Sequence, residues 1–314
     1  MCTMPMSSGP TWAVQSWATL TVEPGDRNHG SVGPSRHVHP VSVCDTGTTA
    51  DHETGGVELS SDSVLGLAGG HSGRRIERVG DEVRRPTGPH TRAVHALLEH
   101  LRGHGFSGAP SVLGVDEDGR ERIEWIQGPV VHQDGLEPLS AQSLTEVGGL
   151  VREFHDLSDG FRASRDHAWS ERAGDPDGPF EVLCHNDLAT WNLISSDRGW
   201  VFIDWDLAAP GRRTWDLAWL VLSAVLADAE HHDWEFVHRR LLALLGGYGE
   251  PEALAEVLDV AESRAAREAF AINDRAAAGD EHFQHLQVTG HQEAWERATD
   301  HVARRRRDLR SSRT

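Results

Sequence analysis

The stretch HNDLATWNLI, His185 to Ile194, constrains this chain more than any bulk property does. It places a histidine, two asparagines, an aspartate and an indole between two short apolar runs. A few residues later WVFI, which reads as a buried strand, delivers a second carboxylate, Asp204. Asp187 and Asn192 are separated by four residues. A carboxylate and an amide facing one space, joined by a carboxylate at a strand end, suit a magnesium–nucleotide site. Mg²⁺ wants an octahedron of oxygens and takes few of them from the protein, the rest coming from phosphates and water. Asn192 and Asp204 are the expected metal ligands. Asp187 is then left to accept a hydrogen bond from a substrate hydroxyl, orient it for in-line attack and take its proton late. An ordinary surface turn copies one of these residues. It does not copy three in order between strands.

The chain has no lysine: all 30 basic residues among its 314 are arginines. Any chemistry that a lysine would perform is excluded or reassigned. The net charge of −19 argues against a nucleic-acid partner, which calls for a basic face, and is compatible with a cationic substrate. No apolar run is long enough to span a bilayer, and the first thirty residues lack the pattern of a signal peptide. Three cysteines, Cys2, Cys44 and Cys184, are far apart and odd in number. A disulfide framework is not expected, and a reducing cytoplasm is.

Residues 1–58, rich in Gly, Ser, Thr, Pro and His, read as a disordered tail. His37, His39 and Cys44 fall in it without a second paired motif, so no metal cluster is expected there. From 59 to about 128 the pattern predicts a small mixed unit. Short strands flank the Gly80-Asp81 turn, a helix carries Val94, Leu97, Leu98 and Leu101 on one face, and two more strands meet at an Asp-Gly turn. From 129 to 314 the chain reads as mostly helical. Ser140 is the expected N-cap of a helix burying Leu144, Val147, Val151 and Phe154. Asp216 is expected to N-cap the helix that follows it. The fold class is therefore α+β, a small sheet-bearing unit before a helical one.

The spacing His185-Asn186-Asp187, four residues, Asn192, then Asp204 matches the protein-kinase catalytic loop and its metal-binding aspartate. No D-F-G or A-P-E follows. HNDLATWNLI, VFIDWDLAAPG and TWDLAW instead closely resemble the aminoglycoside phosphotransferase family, the small-molecule branch of the kinase-like fold. The helix ending FHDL is similar to the LHDL of that family. The resemblance covers about residues 64 to 225, and the rest only in helical character. It implies a two-lobed fold, ATP or GTP with Mg²⁺ as co-substrate, and a small-molecule hydroxyl acceptor such as an aminoglycoside. It carries His185, Asp187, Asn192, Asp204 and Asp216 over as site residues, His185 and Asp216 in a supporting role.

The same resemblance implies a small-lobe lysine that holds the α- and β-phosphates, paired with a helix glutamate. By it Arg84 takes the lysine position, its neighbour Arg85 pointing to the opposite face of the strand. Arginine stays charged and presents a fork to phosphate oxygens. Neither Glu99 nor Arg92 or Ala93 fits the glutamate. LAGGHSGRR is the expected nucleotide lid, with Gly69 and Gly70 letting backbone approach phosphate. IEWIQG leads to the hinge, where backbone around Trp125 and Ile126 would meet the base. Asp206, Asp228, Asp259, Glu262 and Glu268 are the candidates for an acidic acceptor wall.

Two rivals remain at this level. The VGDEVRRP opening resembles trifolitoxin-immunity-like phosphotransferases, which implies a nucleotide- or toxin-binding role without turnover. A metal hydrolase using the many histidines would need clustered ligands at short fixed spacing, which the sequence lacks.

Overall fold

A computed structural model describes residues 64–67 (backbone only), 76–131, 138–162, 164, 168–170, 174–178, 180–226 and 231–311. The expected tail, with His37, His39 and Cys44, lies outside these residues, as do Gly69, Gly70 and Asp228.

Five antiparallel strands form one sheet in the order β1-β2-β3-β5-β4. They are β1 Val64–Leu67, β2 Ile76–Val79, β3 Glu82–Pro86, β4 Val112–Val115 and β5 Arg120–Glu124. Gly80 takes φ 60 in the β2–β3 turn and Gly119 φ 76 in the β4–β5 turn, left-handed conformations that glycine adopts without a Cβ clash. Register Arg84↔Arg122 and Arg85↔Glu121 places β3 in the sheet interior, not at an edge. Helix α1, Thr91–Gly103, buries Val94, Leu97, Leu98 and Leu101, the predicted face.

Helix α2, Ala141–Asp159, starts where Ser140 accepts a hydrogen bond from the Ser143 amide at 3.0 Å. Its buried stripe of Leu144, Val147, Val151 and Phe154 enters a core shared with α1 and the later helices. Two small hairpins follow, β6 Val182–Cys184 with β9 Ala209–Gly211, and β7 Leu193–Ser196 with β8 Gly199–Phe202. Strand β9 and helix α6 below were not legible in the sequence. The remainder is helical: α3 Arg213–Val221, continued as a π-helical turn to Leu226, α4 Trp234–Tyr248, α5 Leu254–Ala277, α6 Glu281–Val288 and α7 His291–Ser311. Among the described residues no helix is long and apolar enough to cross a membrane.

Helices α2 and α4 approach backbone to backbone. A Cβ on Gly148 would overlap the Leu244 carbonyl oxygen, and one on Gly247 would overlap that of Thr145. Gly148→Ala is expected to destabilise the chain by about 2 kcal/mol, as overpacking does. Urea denaturation reads this directly, and an unchanged midpoint would contradict the close crossing.

Candidate active site

The β7–β8 hairpin brings two distant parts of the sequence together. Leu193 pairs with Phe202, and the next step is the Ile203 amide donating to the Asn192 carbonyl at 2.9 Å. Asn192 is thereby set opposite Ile203, one residue before Asp204, at the adjoining ends of the two strands. Asp204 has φ 62, a left-handed conformation uncommon for any residue but glycine. Asn186, beside Asp187, has φ 66. Strain of this kind persists only where the surroundings impose it.

Asp216 is fully buried and its two oxygens accept the backbone amides of His185 at 2.7 Å and Asn186 at 2.8 Å. His155 Nε2 lies 3.3 Å from the same carboxylate, and the Tyr248 hydroxyl lies 2.9 Å from His155 Nδ1. Burial pushes the Asp216 carboxyl up, but the hydrogen bond with His155 and nearby positive charge outweigh it and hold it below the usual carboxylate range. Asp216 is not the helix N-cap expected from sequence. The cap position is Arg212, and Asp216 sits inside the first turn of α3, turned back onto the loop. Helical periodicity shows a cap-type residue near a helix start. It does not show a partner 30 residues away.

His185 Nε2 donates to the Ile203 carbonyl at 3.1 Å, and its Nδ1 accepts the Asp187 amide at 3.2 Å. That pattern needs the neutral ring, and burial pushes the imidazole down accordingly. His185 thus ties the loop to the strand that ends in Asp204. Asp187 Oδ1 accepts the Trp219 indole N–H at 2.8 Å, and Oδ2 accepts Asn192 Nδ2 at 2.8 Å. The Asn192 amide is oriented by this bond, which leaves its Oδ1 buried without a hydrogen-bond partner. A buried, unsatisfied amide oxygen beside a carboxylate fits an oxygen-seeking cation. Among the described residues no three His, Cys, Asp or Glu side chains gather to hold a metal by themselves.

Arg84 is placed away from this site. It turns to Glu82, in contact with Oε1, while Arg122 takes Oε2 at 2.7 Å. The arginine that reaches the site is Arg85. It is buried, with Nε 2.6 Å from Glu121, Nη1 3.4 Å from Asp204 and Nη2 2.5 Å from Asp206. A one-residue offset in a strand exchanges the faces, and the resemblance alone had set the register one residue early. The glutamate that answers this arginine is Glu121 of the neighbouring strand, and His95 of α1 holds the other Glu121 oxygen at 2.9 Å.

At the hinge, Trp125 lies under the Arg78 guanidinium, 4.4 Å from its ring centroid, and its backbone amide donates to the Asp81 carbonyl at 2.8 Å. That N–H is committed inside the small lobe rather than offered to a base. Ile126 is buried with Val130, Ile194 and Val201, and Ile203 packs against the group.

Of the acidic wall, Asp206 faces Arg85, and Asp259 and Glu262 are taken up by Arg306. Glu268 is the one near the catalytic loop. Burial pushes its carboxyl up, Arg264 draws it down, and the Asp187 charge adds to the rise. Sequence reasoning missed Arg264, which is fully buried and sandwiched 4.5 Å from Trp215 and 4.4 Å from Trp219. Its guanidinium donates to the Trp215 carbonyl at 2.7 Å and to the Asn186 carbonyl.

Comparisons with known proteins bear on the family and the fold. A model of the phosphotransferase enzyme family matches residues 165–257, a span that includes every loop residue from His185 to Asp216. The chain is 31% identical over 204 residues to the trifolitoxin immunity protein of Rhizobium leguminosarum bv. trifolii, a match that covers 60% of this chain and 75% of that one. Among solved structures, it is similar to an amicoumacin kinase crystallised with AMP-PNP and Ca²⁺ (TM-score 0.55, 14% identity, 71% of this chain and 87% of the other). It is also similar to a choline kinase from Cryptosporidium parvum (TM-score 0.51, 12% identity, 82% and 92%). At such identities the likeness is one of fold, and that fold is the two-lobed, kinase-like α+β architecture. The chain belongs to the phosphotransferase enzyme family.

Proposed function

We propose that the protein transfers the γ-phosphoryl group of ATP or GTP to a hydroxyl of a small molecule. The observation that carries this is the Asn192 Oδ1 atom, buried without a partner beside Asp187 and next to the strand end bearing Asp204. Asn192 and Asp204 would hold Mg²⁺. When bound, that ion supplies charge neutralisation to the β- and γ-phosphates. Asp187, its carboxylate fixed by Asn192 and Trp219, orients the acceptor hydroxyl and takes its proton. Arg85, in place of the Arg84 expected from sequence, grips the phosphates and is braced by Glu121. Ile126 and Ile203 would offer an apolar wall to the base. His185 and Asp216 hold the loop. Residues to about 128 form the nucleotide lobe and the remainder the catalytic and acceptor lobe. The acceptor is a cationic small molecule, not a nucleic acid, and aminoglycosides are the first class to try. Glu268, whose carboxyl feels the Asp187 charge, is the acidic group to test for acceptor binding. The setting is cytoplasmic.

Label transfer from γ-labelled ATP or GTP to a panel of hydroxylated amines tests this. Transfer to any member supports it. Nucleotide binding with no transfer to any member favours the second reading, a protective binding protein without turnover. The identity to a trifolitoxin immunity protein and the lysine-free small lobe are what favour that reading.

A further inference from the structure

The Arg85 guanidinium does not wait in open solvent for a phosphate. Its three nitrogens lie against three carboxylates, one on the sheet and two on the loop after β8: Glu121 of β5 at 2.6 Å, Asp204 at 3.4 Å, and Asp206 at 2.5 Å. His90, just before α1, stands 3.5 Å from the other Asp206 oxygen. Burial disfavours the Arg85 charge, yet Asp206, Glu121 and Asp204 more than restore it. The arginine therefore bridges the small-lobe sheet to the loop that carries the metal carboxylate, and it does so with the same Asp204 that the proposed nucleotide site needs.

We infer that Arg85 and a divalent cation compete for Asp204, so that Arg85, Asp204 and Asp206 form a latch which a triphosphate opens. A guanidinium contacting Asp204 and Asp206 already neutralises the charge that would attract a cation, and it repels a dication placed beside it. A triphosphate offers the guanidinium several oxygens in the fork geometry it prefers. Once Arg85 turns to the phosphates, Asp204 is released to the ion that enters with them. A compact lysine ammonium cannot span two carboxylates as this fork does. The lysine-free composition thus acquires a consequence: metal binding becomes conditional on nucleotide. This inference rests on the assignment of Asn192 and Asp204 to Mg²⁺.

Mn²⁺ binding, read from loss of the free-ion EPR signal with and without AMP-PNP, tests it on the full chain. Wild type, Arg85→Gln and Arg84→Gln are compared, with Arg85→Met as the second variant that keeps the aliphatic stem. Without nucleotide, Arg85→Gln or Arg85→Met should bind Mn²⁺ about tenfold tighter than wild type, within the usual range of coupling between sites. Arg84→Gln removes the same charge from the other face of the same strand and should match wild type. AMP-PNP should tighten Mn²⁺ binding strongly in wild type and less in the Arg85 variants. If wild type binds Mn²⁺ equally well with and without AMP-PNP, or if Arg84→Gln behaves as Arg85→Gln does, the latch is overturned while the metal assignment stands. If Mn²⁺ binds to none of them even with AMP-PNP, the metal assignment falls and the latch with it.

Discussion

Replacing Asp187 by alanine is expected to lower phosphoryl transfer by about 10³-fold, the usual worth of a positioned base. Nucleotide affinity should stay within about threefold, because an interaction made with the acceptor in the transition state shows in kcat and not in nucleotide binding. The geometry is specific about why. Both Asp187 oxygens already carry a donor, Trp219 on one and Asn192 on the other. The carboxylate is fixed in position, and each oxygen keeps a lone pair for an incoming hydroxyl. Single-turnover measurement with the best acceptor from the panel decides the matter. A variant retaining more than about a tenth of wild-type turnover would remove Asp187 from the role of base.

The second large effect concerns stability. Asp216→Ala should cost about 3–5 kcal/mol, as removing one partner of a buried charged cluster does. It would leave the His185 and Asn186 amides and His155 without the acceptor that now serves all three. At a few degrees per kcal/mol for a chain of this size, the thermal midpoint should fall by about 10 °C. Asp216→Asn, which keeps an acceptor oxygen, should fall less. The contribution has a pH signature too. The folded-state carboxyl lies below its unfolded value, so the stabilisation is present at neutral pH and is lost as the pH falls through the lowered value. A midpoint for Asp216→Ala within about 2 °C of wild type would mean that the clamp does not hold the loop.

The parts of this protein that were legible in its sequence are those governed by local rules. Helix faces such as Leu144, Val147, Val151 and Phe154 repeat with the helical period, and both glycine turns of the sheet announce themselves. The catalytic loop could be recognised because its residues act within a few positions of one another. What was not legible depends on long-range pairing. Alternation says that Arg84 and Arg85 face opposite ways; it does not say which face meets the other lobe, and only the pairing of β3 with β5 and the approach of Asp204 settle that. Glu121 lies on a strand where the resemblance pointed to a helix. Asp216 has the composition of a cap and the geometry of a clamp. Arg264 sits 78 residues from the carbonyl it holds, in a part of the chain that resembles the family only in being helical. Strand β9 has three residues, Ala-Pro-Gly, a composition that argues against a strand until β6 is alongside.

Thermal unfolding of wild type and Asp204→Asn, each with Mg²⁺ and ATP, Mg²⁺ and GTP, or neither, tests most directly whether Asp204 belongs to a nucleotide–metal site. A ligand at about a hundred times its Kd stabilises the folded state by about 2.7 kcal/mol, a rise of about 5 °C or more for a chain of this size. Such a rise with one of the nucleotides in wild type, lost in Asp204→Asn, is the predicted result. No rise with either nucleotide at saturating concentration, or an equal rise in both proteins, would contradict it.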